Sequence, residues 1–502
     1  MAARLFRSAL VLGAALGCVT ASRPPLSSRP GASRSTEATA FSIIYGYPLT
    51  QFALTFDSVL TSTGTNVLIS QETTPTSNDT LVVRPNVDTL YSRAVLDLSQ
   101  VDVAVTVPEV DEGRFYVFAF YDLWSNNFAN LGSLNGTKPG RYLARMAPDL
   151  AEIGFEPAAA NESDYLGYIN FPTAYGLVCP RILLENNTTD VDAVHDIQAA
   201  IQIDEVPRPV DGTAIPALTF ELLGNGTLEA LAARQPGSWD DTAVRTLFRV
   251  MAGIAPFNMP YDPQQAGLVA RSFAEAGIVN GRYFPPSDVD FSQVGKLVNA
   301  SLSEVAKQAE SLGNHWFDMP AALSGDFSSH YSARCLLGYF EYLLLASYEA
   351  LYPSYSGHGV PGLYLEPNES YILSFSGKPP VRGFWSLTAY NSANYLVDNP
   401  IDRYSLGDRS NITYPDGSPV YGGESSGHSA SFSLLLQPGD VTPPDNWTSN
   451  WLPAPVGGGN FSVNLRFYGP TKLLAAGGRY EYPTVTKQAA ITAKPRPERG
   501  EL

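Results

Sequence analysis

The chain has 502 residues, a net charge of −17, and 44% hydrophobic against 16% charged residues. That length exceeds one ordinary core, and that hydrophobic content argues against a chain disordered throughout. The acidic balance and the lack of a basic block argue against nucleic acid as a partner and against docking on an anionic membrane surface.

The N-terminus reads as an address. "MAARLFRSALVLGAALGCVTAS" sets Arg4 and Arg7 before an apolar stretch from Ala9 to Val19, followed by Val19, Thr20 and Ala21 as a small-residue cleavage pattern. The stretch is too short to span a bilayer, so residues 1–21 are expected to be a secretory signal peptide, the alternative being an uncleaved anchor. No later segment is long and apolar enough to span a membrane, so the mature chain is expected to have no membrane span. Residues 22–40 are Ser/Pro/Arg-rich without periodicity and predict a disordered lead-in.

From Phe41 to Leu60 apolar residues recur at helical spacing around Tyr47-Pro48. The period then changes to two. "TLYSRAVLDLS", "VDVAVTVPEV", "GRFYVFAFYDLW" and "SDYLGYINFPTAYGLVCPRILL" read as strands, and 41–190 as an N-terminal β-sandwich domain. Residues 191–352 are expected to be mainly helical. "DDTAVRTLFRVMAGIA", "DPQQAGLVARSFAEAGI" and "DFSQVGKLVNASLSEVAKQAESLG" carry apolar residues three and four apart behind Asp caps, and "HYSARCLLGYFEYLLLASYEALY" reads as a longer buried helix. Strand patterns return in "SYILSFSG", "GFWSLTAYN", "SASFSLLLQ" and "FSVNLRFYGP", giving a C-terminal β-sandwich domain over 353–485 and a polar tail over 486–502. The class is α+β.

Asn-x-Ser/Thr acceptors occur at Asn78, Asn135, Asn161, Asn186, Asn187, Asn225, Asn299, Asn368, Asn411, Asn446 and Asn460, which fits a glycosylated, secreted chain. After loss of Cys18 only Cys179 and Cys335 remain. They form either one disulfide or two buried free thiols. This pair and five scattered histidines offer no ligand-spaced metal site, and no Gly-rich phosphate loop is present, so no metal or cofactor is expected.

"RPNVDTLYSRAVLDLS" packs Arg84, Asn86 and Asp88 ahead of a strand. Pro85 restricts the backbone, and Asn86 suits an Asx turn. Either Arg84 grips a carboxylate while Asp88, with Tyr91, acts as acid or base, or the group braces a turn. Tyr121, Asp122, Trp124, Asn126 and Asn127 follow an apolar strand, a good place for a ligand or for a capping loop. The last third offers Trp385, Tyr390, Arg403, Arg409, Trp451, Arg466 and Tyr468, aromatic and guanidinium faces that suit a sugar or a planar acid and equally suit sheet edges. Gly423-Glu424-Ser425-Ser426-Gly427 matches a nucleophile elbow by letter, but a strand pattern follows where that elbow needs a helix.

These stretches also carry a resemblance. "RPNVDTLYSRAVLDLS" and "FYVFAFYDLWSNNFANLG" resemble the domain of unknown function 1254. "KPPVRGFWSLTAYN", "NPIDRYSLGDR", "NWLPAP" and "LRFYGP" resemble its companion, the domain of unknown function 1214. The resemblance implies two jelly-roll-like β-sandwich domains with a helical region between, and says little about activity. Its motif residues map to Arg84, Pro85, Asn86, Asp88, Thr89 and Tyr91, and to Trp385, Ser386, Tyr390, Asn399, Arg403, Tyr404, Asn450, Trp451, Pro453, Arg466 and Tyr468.

The expectation is a secreted glycoprotein, read as a metal-independent enzyme acting on a small organic molecule or sugar in a pocket between the β domains. The alternatives are a carbohydrate- or small-ligand-binding protein without turnover, and a cell-surface or wall structural protein. Fully buried, mutually bonded motif residues would speak for a brace. The oligomeric state stays open.

Overall fold

The computed structural model describes residues 32–80, 83–159, 164–186, 189–209, 214–357, 362–422 and 431–492. The signal region, the Gly423–Gly427 elbow match and residues 22–31 of the lead-in lie outside these. The first elements are helices α1 (Arg34–Gly46) and α2 (Pro48–Ser62), so a disordered lead-in does not extend to residue 40. Ser33 caps α1 by accepting from the Thr36 N–H at 3.3 Å. The Ser, Thr and Ala content that reads as low complexity instead permits close packing. A Cβ on Gly46 would fall 2.2 Å from Met251 Sδ.

Ten strands then form two five-stranded sheets: β1 (Ile69–Ser70), β2 (Thr89–Asp97), β3 (Val101–Val107), β4 (Tyr116–Asp122), β5 (Asn127–Gly132), β6 (Gly140–Met146), β7 (Gly154–Pro157), β8 (Gly167–Phe171), β9 (Tyr175–Leu183) and β10 (Gln202–Pro207). One sheet runs β1-β2-β9-β4-β5, the other β10-β3-β6-β8-β7. Leu90, Leu96, Phe118 and Phe120 of the first sheet pack on Val103, Val105, Ile169 and Phe171 of the second, in one core. The alternate residues Val95, Val117, Tyr121, Leu177 and Cys179 face the other way, into the helical core. This sheet is covered on both faces, which is why "FYVFAF" runs apolar without alternation. Because β10 pairs with β3, the β unit reaches Pro207 rather than ending at 190; helix α3 (Val191–Ala199) lies between.

The helical layer comprises α4 (Asp241–Ile254), α5 (Ala266–Glu275), α6 (Phe291–Ala306) and α7 (Tyr331–Phe340), packed with α1 and α2 from the other end of the segment. The predicted caps form: Asp240 accepts from Ala243 N–H, and Asp290 from Ser292 and Gln293 N–H. The long helix expected through residue 352 stops at Phe340. Tertiary bonds capture the backbone a helix would need. Tyr121 Oη and Arg181 Nη2 both donate to the Leu343 carbonyl, at 3.0 and 2.7 Å, and Asn127 Oδ1 accepts from Ala346 N–H at 2.8 Å. Leu343 is held at φ 59°, a left-handed conformation that Leu rarely adopts.

A two-stranded hairpin, β11 (Ile278–Val279) and β12 (Arg282–Tyr283), follows α5. Strands β13 (Glu310–Gly313), β14 (Trp316–Asp318), β15 (Ala350–Leu351), β16 (Ser354–Tyr355) and β17 (Leu363–Leu365) join a C-terminal sheet completed by β19 (Trp385–Asn391), β20 (Ser405–Gly407) and β23 (Gly459–Tyr468). A second sheet contains β18 (Glu369–Phe375), β21 (Phe432–Pro438), β22 (Trp451–Ala454) and β24 (Thr484–Ala489). Their common core includes Trp385, Phe375, Phe432 and Leu465. The C-terminal sheet therefore begins inside the segment expected to be helical, at Glu310. The polar tail is also not all tail, since β24 pairs with β18 from Glu369 to Ser374.

Candidate functional site

The stretch from Arg84 to Tyr91 sits where the first β unit meets the C-terminal sheet. Asn86 Oδ1 accepts from the Asp88 N–H at 2.7 Å, the Asx turn the sequence predicts. Asn86 Nδ2 donates to the hydroxyls of Tyr468 at 2.9 Å and Tyr91 at 3.3 Å. Asp88 is 1% exposed, and both its oxygens are taken, one by Ser386 Oγ and one by Arg409 Nη2, each at 2.5 Å. Arg466 donates to Thr388 Oγ1 at 2.9 Å, to the Tyr390 hydroxyl at 2.6 Å and to the Arg84 carbonyl at 3.1 Å. Arg84 itself is at φ 50° and pairs with Glu341 at 3.1 Å, while the Pro85 carbonyl accepts from Tyr390 Oη. Behind the pair, burial with added repulsion from Asp88 pushes the Asp408 carboxyl up to about 7. Residues some 300 positions apart thus interlock, with Arg409 Nε and Asp408 Oδ1 the atoms of this group left without a hydrogen-bond partner among the described residues. This junction is a brace.

A second buried polar group behaves differently. It lies between the inner sheet and the helices, at the end of β4. Asp122 accepts from the backbone N–H groups of Trp124 and Asn126, each at 2.9 Å, and from Asn126 Nδ2 at 2.6 Å. Arg334, on α7, is fully buried. Its Nη2 donates to the Tyr45 carbonyl at 2.9 Å, but Nε and Nη1 have no partner among the described residues. The guanidinium carbon lies over the rings of Tyr45, Tyr331 and Trp124 at 4.8, 5.0 and 5.4 Å. Around it the hydroxyls of Tyr45, Tyr331 and Tyr342, Trp124 Nε1 and Asn126 Oδ1 are likewise buried and unpartnered.

A guanidinium held out of water without an anion is costly, and unpaired buried donors of this number are rare in one place. The stacked rings supply part of the compensation. Asp122 acts at a distance: burial raises its carboxyl and Arg334 draws it back down. Asp326, close enough to Asp122 to feel its charge, also has a buried Oδ1 without a partner among the described residues. Burial, with repulsion from Asp122, pushes its carboxyl up to about 6, and the Tyr261 hydroxyl interacts with it. Its loop is held tightly. Gly325 has φ +78°, a Cβ there would lie 2.4 Å from the Leu345 backbone, and its carbonyl accepts from Asn127 N–H at 2.9 Å. The chamber can therefore offer an anion the diverging N–H groups of Arg334 Nε and Nη1, further donors from Trp124 and the tyrosines, and one carboxyl that changes protonation near neutral pH.

Family comparison agrees with the two motif blocks. Residues 65–205 match the family described as "Protein of unknown function (DUF1254)", and residues 349–472 match "Protein of unknown function (DUF1214)". The chain carries a DUF1254 match followed by a DUF1214 match. The VPA0106 protein of Vibrio parahaemolyticus, known from its crystal structure, shares the fold with a TM-score of 0.56 at 18% identity, over 90% of this chain and all of that one. An uncharacterized protein from Burkholderia cenocepacia aligns with a TM-score of 0.41 at 12% identity, over 91% of this chain and 94% of its own. No curated protein matches.

In this chain the brace is built chiefly from the two matched segments, whereas Arg334, Asp326 and Tyr331 fall between them. Of the residues singled out in the sequence, Arg84, Asp88, Tyr91, Tyr390, Arg466 and Tyr468 meet in the brace. Trp124 belongs to the chamber instead. Trp385 is a core residue whose Nε1 donates to Tyr421, and Trp451 donates to the Gln437 carbonyl. Arg403 donates to the carbonyls of Thr448 and Trp451, closing a short helical turn. Cys179 and Cys335 are both buried free thiols, so no disulfide joins them. Asn161 and Asn187 lie outside the described residues. Of the nine other sequons, Asn78, Asn135, Asn186, Asn225, Asn368, Asn411, Asn446 and Asn460 are exposed and Asn299 is half-buried. No described helix is long and apolar enough to cross a membrane, and no group of three metal-ligating side chains occurs among the described residues.

Arg334, Asp326 and Tyr331 escaped the sequence reading. A signal existed for Arg334: it is the lone charge in the apolar run "SARCLLGYF", and an arginine there is either paired or waiting for an anion.

Proposed function

We propose that this protein is a secreted glycoprotein enzyme whose Arg334 chamber binds a small organic carboxylate. Asp326 serves as its acid–base group, and Asp122 as the neighbour that tunes it. The observation that carries this reading is the unpaired pair of N–H groups on a fully buried guanidinium. A carboxylate accepting from one of these open N–H groups would gain a charge-assisted hydrogen bond and neutralise the charge. The reading moves the site away from the junction of the β units, which is filled by bonded side chains, to the interface of the inner sheet and the helices. The exposed sequons and the N-terminal signal pattern support secretion and glycosylation. Jelly-roll-like sandwiches are supported by the shared core between paired sheets in each β unit, whereas the parallel pairs β6 with β8 and β21 with β22 depart from the antiparallel jelly-roll pattern.

The test is a thermal-shift and calorimetric titration with simple carboxylates and their uncharged amides. Carboxylates should stabilise the protein and amides should not. Arg334→Met should abolish the response while keeping the fold. Wild-type protein indifferent to every carboxylate, or Arg334→Met binding as wild type does, overturns the reading. Turnover lost in Asp326→Asn with binding retained separates an enzyme from a binding protein.

A further inference from the structure

Beside the chamber lies a cleft of about 370 Å³ between α4, α5 and the β11–β12 hairpin. Ala252, Val269, Ala270, Phe273 and Ile278 form its walls, and Met259 and Val279 at its lining are exposed. Such a volume suits a small ligand group. Its lining is mostly apolar, with two amide side chains: Asn280, which is exposed, and Asn258, which is 3% exposed and has both amide atoms, Oδ1 and Nδ2, without a partner. Two structural links lead from it to the chamber. Phe273 lines the cleft and packs edge-on against Tyr45 at 5.2 Å, and Tyr45 in turn lies against Arg334. Met259 and Pro260 line it as well, and the next residue, Tyr261, reaches Asp326.

We propose that this cleft is the tail subsite of the Arg334 chamber, so that the ligand is a carboxylic acid carrying an apolar chain with a hydrogen-bonding group that meets Asn258. The inference rests on Arg334 as the carboxylate anchor and adds what lies beyond the carboxylate. A bare short acid leaves the apolar walls exposed to water and the Asn258 amide unsatisfied. A chain of several carbons buries the walls, each methylene adding to affinity. A hydroxyl or amide on that chain pairs with Asn258, whose donor and acceptor are both open.

The test compares butanoate, octanoate and 3-hydroxyoctanoate on wild-type protein, Ala270→Trp, Asn258→Leu and Arg334→Met, by calorimetry. Ala270 is exposed, so a tryptophan there fills the cleft without entering a core. Octanoate should bind tenfold or more tighter than butanoate. Ala270→Trp should erase that difference and leave butanoate unchanged, and Asn258→Leu should erase any preference for the hydroxylated acid. Butanoate binding that needs Arg334, with no gain from the longer chain or no loss from Ala270→Trp, overturns the tail subsite and leaves the anchor standing. Octanoate binding that survives Arg334→Met but not Ala270→Trp overturns the anchor. Binding of neither acid overturns both.

Discussion

The molecule buries arginines in two ways. At the junction of the β units, the buried Arg466 spends its guanidinium on Thr388, Tyr390 and the Arg84 carbonyl. In the chamber, Arg334 makes one hydrogen bond and leaves two directions open. Burial is common to both, so burial does not distinguish a site from a strut. Satisfaction does. A satisfied buried charge holds distant segments in register, whereas an unsatisfied one is a standing cost that a ligand can remove.

The sharpest way to break this contrast is to remove one charge from each. Asp88→Ala should destabilise the protein by about 3 kcal/mol or more, because the buried Ser386 hydroxyl loses its acceptor and the partly buried Arg409 loses its counter-charge. Arg334→Met should be near neutral or stabilising in the same urea titration, since it removes an unpaired buried charge. Equal losses from the two would erase the distinction. Next in size is Gly325→Ala. At φ +78° and with a Cβ 2.4 Å from Leu345, it should cost about 1–3 kcal/mol and displace Asp326, so that turnover falls further than stability does.

Two pH effects sharpen the comparison further. Asp326 titrates at about 6 beside the proposed anion, so carboxylate affinity should weaken as pH rises through 6 and a second negative charge appears. Asp326→Asn should flatten that profile; a profile unchanged by the substitution would place the titrating group elsewhere. The smallest effect is on stability. Asp57, Asp318 and Asp408 are pushed up to about 7, in each case by burial first, above an unfolded value of 3.8. For a carboxyl raised on folding, the stabilisation is full below the unfolded value and is lost as pH rises through the folded one. Melting temperature should therefore fall between about pH 4 and pH 7. Asp57→Asn, which removes a carboxyl with both oxygens unpartnered, should reduce the slope.

Local chemistry announced much of the architecture. The Asp caps at Asp240 and Asp290, the Asx turn at Asn86 and the strand patterns from Thr89 to Phe120 all depend on neighbours a few residues away, and all form. The segment from Tyr121 to Asn127 reads in the sequence as either a place for a ligand or a capping loop, and it supplies Asp122, Trp124 and Asn126 to the buried polar group around Arg334. The errors were non-local. The helix expected through residue 352 ends at Phe340 because Tyr121, Asn127 and Arg181 claim the backbone from Leu343 to Ala346. The lead-in turned helical at Arg34 because α4, α5, α6 and α7 offer it a groove.

By itself, then, the sequence determined the class, the order of β and helical blocks, the caps and the two motif families, since propensity and periodicity act over short spans of chain. Tertiary structure alone decided which polar residues are paired. Asp88 and Arg409 are 321 positions apart and Trp124 and Arg334 are 210 apart, and whether such groups meet, and whether a guanidinium is left open when they do, depends on how layers stack rather than on any local spacing.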